Sequence, residues 1–222
     1  MQLSSVLREQ LNRKGCVTSL FIDSIPLKYN NNTSYNTTRR HVNVLVNYLH
    51  ANGFPIEQSK LKTRKQEEVL HSPIKDVKQL LFRVKEYNEN LYLCCLLTYG
   101  CLLRPHQEIR LLKWKDFSDD LSHINLGGSK VKSKRNRIVP VPSYIREILA
   151  KKVSNNNIFS NTSNPCSKGY FLLLWRRFKR LNPDVIATTT IYLFRHSGAI
   201  EIFKRTGSIT KLQKAMGHSS KM

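Results

Sequence analysis

The stretch NENLYLCCLLTYG, residues 88–100, is apolar almost all the way round a helical wheel. A helix of that kind has no face to give to water, so it must lie in the middle of a domain with other elements packed around it. Gly100 supplies its stop, because glycine accepts the left-handed cap conformation. The elements that would cover it are legible on both sides. Before it, Ser72 and Pro73 form a cap and first-turn pair for a helix with Ile74, Val77, Leu80, Leu81 and Val84 at helical spacing. After it, a shorter helix is predicted from Pro105, carrying Glu108, Ile109 and Leu112.

The period then changes. Segments around Ile124–Leu126, Lys130–Lys132 and Arg137–Val141 alternate, separated by Gly127-Gly128 and the polar turn SKRN, which predicts a small antiparallel sheet. Helical spacing returns at Ile145, Ile148 and Leu149, at Tyr170 to Arg180, at Ile191 to Lys204, and at Ser208 to Met216 with Gly217 as stop. Towards the amino terminus, Val6, Leu7 and Leu11 predict one short helix. TTRRHVNVLVNYLHANG predicts a longer one, with Val42, Leu45, Val46 and Leu49 on one side and Gly53 ending it. From Phe54 to His71 the chain is polar and highly charged, the profile of a linker between two compact units. The expected fold is mostly α with one small antiparallel β-sheet, and SNNNIFSNTSNPCS reads as a loop.

Composition narrows the partner. In 222 residues, 37 Lys and Arg face 15 Asp and Glu, a formal charge of +22. Residues 1–120 hold 18 basic and 12 acidic side chains, while residues 121–222 hold 19 basic and only 3 acidic. A solvated surface mixes both signs, so the second half presents a field suited to a polyanion, and a pI near 10.1 points to nucleic acid. With 40% hydrophobic residues the chain is globular, not a disordered basic tail. No apolar run approaches the ~20 residues of a membrane span, and MQLSSVLREQLNRKG lacks the apolar stretch of a signal peptide, so the expected location is the cytoplasm without membrane attachment. Cys16, Cys94, Cys95, Cys101 and Cys166 are odd in number and without CxxC spacing, and read as reduced thiols holding no metal.

Three features in the second half have chemical potential, all at helix ends or starts: Arg104 in LLRPHQEIRLLKW, Arg195 with His196 in YLFRHSG, and His218 in MGHSS. An arginine directly after an apolar helix is costly to leave half-buried without an anion, and the plain alternative is a salt bridge to a neighbour such as Glu108.

Taken in order, LLRPHQEIRLLKW, KVKSKRNRIVPVP, YLFRH and MGHSS resemble the boxes of the tyrosine recombinase, or phage integrase, family: an arginine in a GLR or LRP-E context, a lysine in a sheet turn, an HxxRH box and a GHSS-like box. The resemblance covers residues 72 to 222, and more weakly the helical amino-terminal unit. It implies a helical, SAM-like core-binding domain over residues 1–60 that binds DNA, a linker over 61–71, and a catalytic domain over 72–222. It also implies transesterification at a DNA phosphodiester, in which a tyrosine attacks phosphorus, releases a 5′ hydroxyl and stores the bond energy in a 3′ phosphotyrosine, with neither metal nor cofactor. Arg104 and Arg195 would hold the nonbridging oxygens of the transition state with permanently charged forks. By alignment on the RIVPVP strand, Lys132 would protonate the leaving oxygen, with Lys130 and Lys134 as alternatives. His218 and His196 would hydrogen-bond the phosphate or move the nucleophile's proton. Lys130, Lys134, Arg135 and Arg137 on the sheet, and Arg176, Arg177, Lys179 and Arg180 on a helix, would grip backbone phosphates. The implied partners are double-stranded DNA and, for a full-length chain, further copies in a tetramer on paired sites.

The sequence departs from the family pattern in three places. Tyr192 stands where the HxxR box has its histidine, and a phenol hydrogen-bonds phosphate without titrating near neutrality. Gln107 occupies a usually acidic position, with Glu108 beside it as a stand-in. The nucleophilic tyrosine of the family lies two to three helical turns past the GHSS box, whereas Met222 follows His218 by only four residues, so the catalytic domain is expected to be incomplete at its carboxyl terminus. The two expectations are therefore a site-specific recombinase of a mobile element, and a truncated noncatalytic DNA-binding protein of the same fold that occupies recombination sites. A basic RNA-binding protein is the third reading, and it leaves the four ordered boxes to coincidence.

Overall fold

The computed structural model describes residues 3–65, 72–131, 134–149, 155–185 and 188–217. The chain divides into two compact units, Met1–Leu70 and His71–Met222. No described helix is long and apolar enough to cross a membrane.

The first unit contains α1 (Leu3–Lys14), α2 (Ser19–Leu27) and α3 (Asn32–Ala51). Leu7, Val17, Ile22, Val42, Val46 and Ile56 form its core, with Leu45 and Leu49 packed against them. The apolar stripe expected on α3 is thus the one that is buried. α2 has no clear signature in the sequence: it is short and contains Pro26, a sequence signal against helix. It forms because Thr18 caps its start, accepting from the amide of Phe21 at 3.4 Å, and because Ile22 is buried against α3.

Residues 57–65 have no regular secondary structure, yet they are bound along α3. Tyr35 donates to the carbonyl of Lys62 (3.0 Å), Arg39 Nε to that of Leu61 (2.8 Å) and Asn32 Nδ2 to that of Lys65 (2.9 Å). Asn36 makes a two-way bond with the backbone of Arg64 (2.7 and 2.9 Å), whose guanidinium lies 3.8 Å above the Tyr35 ring. Polar side chains of α3 satisfy the backbone here, so this order leaves no apolar pattern to read.

The second unit is built around α5 (Glu89–Gly100), the all-round apolar helix, with Leu91, Cys94, Cys95, Leu96, Leu97 and Thr98 buried. α4 (Val77–Tyr87) precedes it. It begins four residues later than the Ser72-Pro73 pair implies, because Asp76 caps it through the amide of Gln79 at 2.8 Å, while the amide of Ile74 donates to Ser197 Oγ at 3.0 Å. α8 (Ile191–Thr206) crosses α5 at Gly198, where a Cβ would land on the carbonyl oxygen of Tyr99. Glycine is required there for backbones to approach so closely.

Between α5 and α8 lie a β-hairpin, the short helix α6 (Ser143–Arg146) and α7 (Tyr170–Leu181). The helix expected from Pro105 is a run of turns with a single 3-10 turn at Ile109–Leu111. The hairpin has two strands, β1 (His123–Leu126) and β2 (Arg137–Pro140), antiparallel with Ile124 opposite Val139 and Leu126 opposite Arg137. Of the third alternating segment, Lys130–Lys132, the last residue lies outside the described ones, and Gly128–Lys130 forms a 3-10 turn within the connection. Gly128 is pinned against the backbone of Lys134, and its amide donates to Asn136 Oδ1 at 2.9 Å. α9 (Ile209–Met216) closes the described chain, capped by Ser208 and ended by Gly217 at φ +66°. None of its side chains is fully buried.

Candidate functional site

Arg104 follows α5 through an unusual backbone. Leu102, fully buried, takes φ +51°, which a γ-branched residue accepts only when its surroundings enforce it. Its carbonyl accepts a 2.7 Å bond from Arg195 Nε, so the turn that exposes Arg104 also receives the second arginine.

Glu108 anchors the opposite side. Its side chain is 0% exposed and accepts from the Arg104 amide (2.9 Å) and from Arg104 Nη1 (2.6 Å). Arg137 Nη1 stands 3.7 Å from its other oxygen. Gln107 is exposed. The buried carboxylate that orients the first arginine therefore sits one residue later than the family pattern implies. The salt bridge named as the plain alternative for Arg104 exists, but the carboxylate serves a second guanidinium as well.

Arg195, on α8, is 1% exposed. Besides its bond to Leu102, its Nη1 donates to the phenol oxygen of Tyr192 (2.9 Å) and its Nη2 to the carbonyl of Met216 at the end of α9 (2.7 Å). Three of its five N–H groups are thereby engaged by described residues. Tyr192, 39% exposed, lies edge-on to the half-buried ring of His196, with centroids 5.4 Å apart.

Arg137, expected to face phosphates from the sheet, has a side chain only 8% exposed. Its Nη2 donates to Ala215 O (2.6 Å) and Cys101 O (3.5 Å), and its Nη1 to Met216 O (3.4 Å). Burial pulls its pKa below the ordinary guanidinium value; Glu108 opposes the shift, and Arg195 and Arg104 add to it. Two guanidinium groups, Arg104 and Arg137, thus share the Glu108 carboxylate, and Arg195 meets Arg137 at the Met216 carbonyl at the end of α9. Such a cluster is a candidate anion site. The Cys101 thiol beside it is pushed up to about 12 by burial, which makes it a core residue and not a nucleophile.

Lys130 is not a free turn lysine: its ammonium pairs with Asp116, a mostly buried carboxylate that also accepts from the amide of Lys113 at 2.7 Å. Lys134, at φ +55°, and Arg135 are exposed in the turn. Lys132 and His218 lie outside the described residues. On α7, Phe171, Trp175 and Phe178 face the core, leaving Arg176, Arg177 and Arg180 exposed and Lys179 half-buried. With Leu173, Pro183 and Val185 they line a groove of about 620 Å³. Among the described residues no group of three His, Cys, Asp or Glu side chains could hold a metal. No local pattern marks Arg137 as a neighbour of Arg104 and Arg195; the pairing of Leu126 with Arg137 and the position of α9 bring it there.

Several solved structures share this architecture. The Tn1549 transposon integrase, in complex with circular intermediate DNA, superposes with a TM-score of 0.61 at 17% identity over 100% of this chain and 88% of its own. A lambda integrase dimer bound to a COC′ core site gives 0.72 at 16% identity, over 100% and 70%. The XerH recombinase bound to its difH substrate gives 0.65 at 14%, over 92% and 64%. At these identities the likeness is one of fold. No curated protein sequence matches the chain significantly. The family model described as "Phage integrase family" matches residues 73–222, the whole of the second unit but for two residues, and the chain belongs to that family.

Proposed function

We propose that this protein acts in site-specific recombination of double-stranded DNA by transesterification through a phosphotyrosine, and that the cluster of Arg104, Arg195 and Tyr192 receives the scissile phosphate. The observation that supports this most is the excess of guanidinium charge on the buried carboxylate of Glu108, which Arg104 and Arg137 share. Arg104, 19% exposed, and Tyr192 lie at the surface, with Arg195 one layer behind. A phosphate meets Arg104 and Tyr192 first, with the remaining Arg195 donors behind them. Charge that develops on the nonbridging oxygens is met by donors already oriented by Glu108, Leu102 and Tyr192. The phenol oxygen of Tyr192 accepts from Arg195, which leaves its own O–H to donate to the phosphate.

The leaving 5′ oxygen takes its proton from a lysine of the hairpin turn. Lys130 is held by Asp116, so Lys132 fills this role, with Lys134 as the alternative. His196 and His218 assist at the phosphate. Lys134, Arg135, Arg176, Arg177, Lys179 and Arg180 grip the flanking backbone. The nucleophilic tyrosine is assigned to no residue of this chain. The neighbours solved on DNA, and a lambda integrase tetramer bound to a Holliday junction, support DNA as partner and assembly into tetramers on paired sites.

The test uses a protein whose chain continues past residue 222 to a tyrosine, incubated with nicked duplex DNA and resolved on a denaturing gel. Arg104→Ala is expected to abolish the covalent protein–DNA band while duplex binding persists. Undiminished linkage in that variant would overturn the assignment, and binding without linkage in the unmutated protein would favour a DNA-occupying role.

A further inference from the structure

Arg137 holds the end of α9, and the structure assigns it a positioning role that neither its place on the sheet nor its charge implies. We infer that Arg137 fixes the carboxyl end of α9, as far as Gly217, against Arg195, and that it does not contact DNA phosphate. This rests on the proposed role of Arg195 at the scissile phosphate.

Three observations carry it. First, α9 has no fully buried side chain, so apolar burial does little to dock it. Its last carbonyls instead enter two guanidinium groups: Arg137 bonds Ala215 and Met216, and Arg195 bonds Met216. Carbonyls at a helix carboxyl terminus have no partner within the helix and carry its negative pole, so cations are their natural partners. Second, Gly217 lies on Arg137. A Cβ there would come within 2.9 Å of Arg137 Cδ and Nη1, and φ +66° independently disfavours any other residue. The glycine is needed for the helix end to close down on the guanidinium. Third, Arg137 is itself immobilised, since its Nη2 also reaches Cys101 O and Glu108 faces its Nη1. It transmits the position of Glu108, and so of Arg104, to the end of α9. Arg195 and Arg137 share the Met216 carbonyl, so loss of Arg137 leaves Arg195 with a partner free to drift.

The experiment compares the 222-residue protein with Arg137→Met, which keeps the stem and removes the donors, and with Arg137→Lys, which restores the charge. Hydrogen exchange is read in α9 and in α5, and binding to a 30-base-pair duplex is titrated at several salt concentrations. Arg137→Met should speed exchange over residues 209–217 about ten-fold with α5 unchanged, as expected for losing charged hydrogen bonds that hold one local element. Arg137→Lys should recover part of that protection. Duplex affinity should fall with the salt slope unchanged, whereas Arg176→Ala, removing a phosphate contact, should lower the slope by about one. If Arg137→Met leaves α9 protection intact, or lowers the salt slope by about one, the inference is overturned. Should Arg137→Met fail to fold, Arg137→Lys carries the same two readouts. Absence of duplex binding by the unmutated protein would count against the proposed function, and the exchange result would still decide the role of Arg137.

Discussion

Arg195 and Tyr192, one turn apart on α8, are joined by a 2.9 Å hydrogen bond in which the guanidinium donates and the phenol oxygen accepts. A histidine at 192 would carry a proton below pH ~6.5. Tyr192→His should therefore make duplex affinity rise as pH falls from 8 to 5.5, beyond any change in the unmutated protein, because a second positive charge then stands beside Arg195. Fluorescence anisotropy at constant ionic strength across that range checks this. Parallel pH profiles for the two proteins would remove Tyr192 from the phosphate site.

Removing the Glu108 carboxylate leaves the Arg104 amide and guanidinium without this partner and deprives the mostly buried Arg137 of its counter-charge. Glu108→Ala should destabilise the second unit by about 3–5 kcal/mol, the range for breaking a buried ion pair. Gln107→Glu, at an exposed position, should stay within about 0.5 kcal/mol of the parent. Urea unfolding followed by tryptophan fluorescence compares them, and equal costs would mean Glu108 is not the orienting carboxylate.

The crossing of α5 and α8 leaves no room at Gly198. Gly198→Ala should cost at least ~2 kcal/mol, since the new methyl must push the two helices apart, whereas Gly127→Ala meets nothing within 4 Å. Thermal melts read by circular dichroism give the comparison.

Arg83 forks onto Asp184 (2.6 and 2.7 Å) and Asn182, tying α4 to the end of α7, and this holds the Asp184 carboxyl below the ordinary carboxylate range. The folded-state value lies under the unfolded one, so the tie is complete above pH ~4 and is lost as pH falls through the depressed value. Exchange of the amides after α7 should accelerate on acidification, after correction for intrinsic rates, and Asp184→Asn should show the acid behaviour already at pH 7.

Thiol reagents should discriminate by burial. Cys16 is exposed, whereas Cys94, Cys95 and Cys101 are buried and their thiols are pushed upward by desolvation. At pH 8 mass spectrometry should find Cys16 alkylated and those three protected until denaturant is added.

Most helices of this protein are legible in the chain because they depend on neighbours in sequence. The apolar surface of NENLYLCCLLTYG dictates a central helix, and the stripe through Val42 and Val46 dictates an amphipathic one. Gly217 at φ +66° ends α9 where a glycine after a periodic run says it should. Short-range signals are weak elsewhere: Pro26 conceals α2, Asp76 outcompetes Ser72 as a cap, and Lys130 belongs to a turn. Polarity over residues 57–65 said nothing of the carbonyl bonds to α3.

The order of residues alone dictates the inventory of cationic and hydrogen-bonding groups and the local elements that carry them. The tertiary structure alone decided which of those groups face one another. Glu108, not Gln107, turns inward; Lys130 is taken by Asp116; and Arg137 leaves the phosphate-facing set to meet carbonyls 78 and 79 residues further along the chain. The physical reason is that a guanidinium or carboxylate is placed by whichever partner compensates its burial, and those partners arrive through the packing of α5, α8 and α9, which no local pattern encodes.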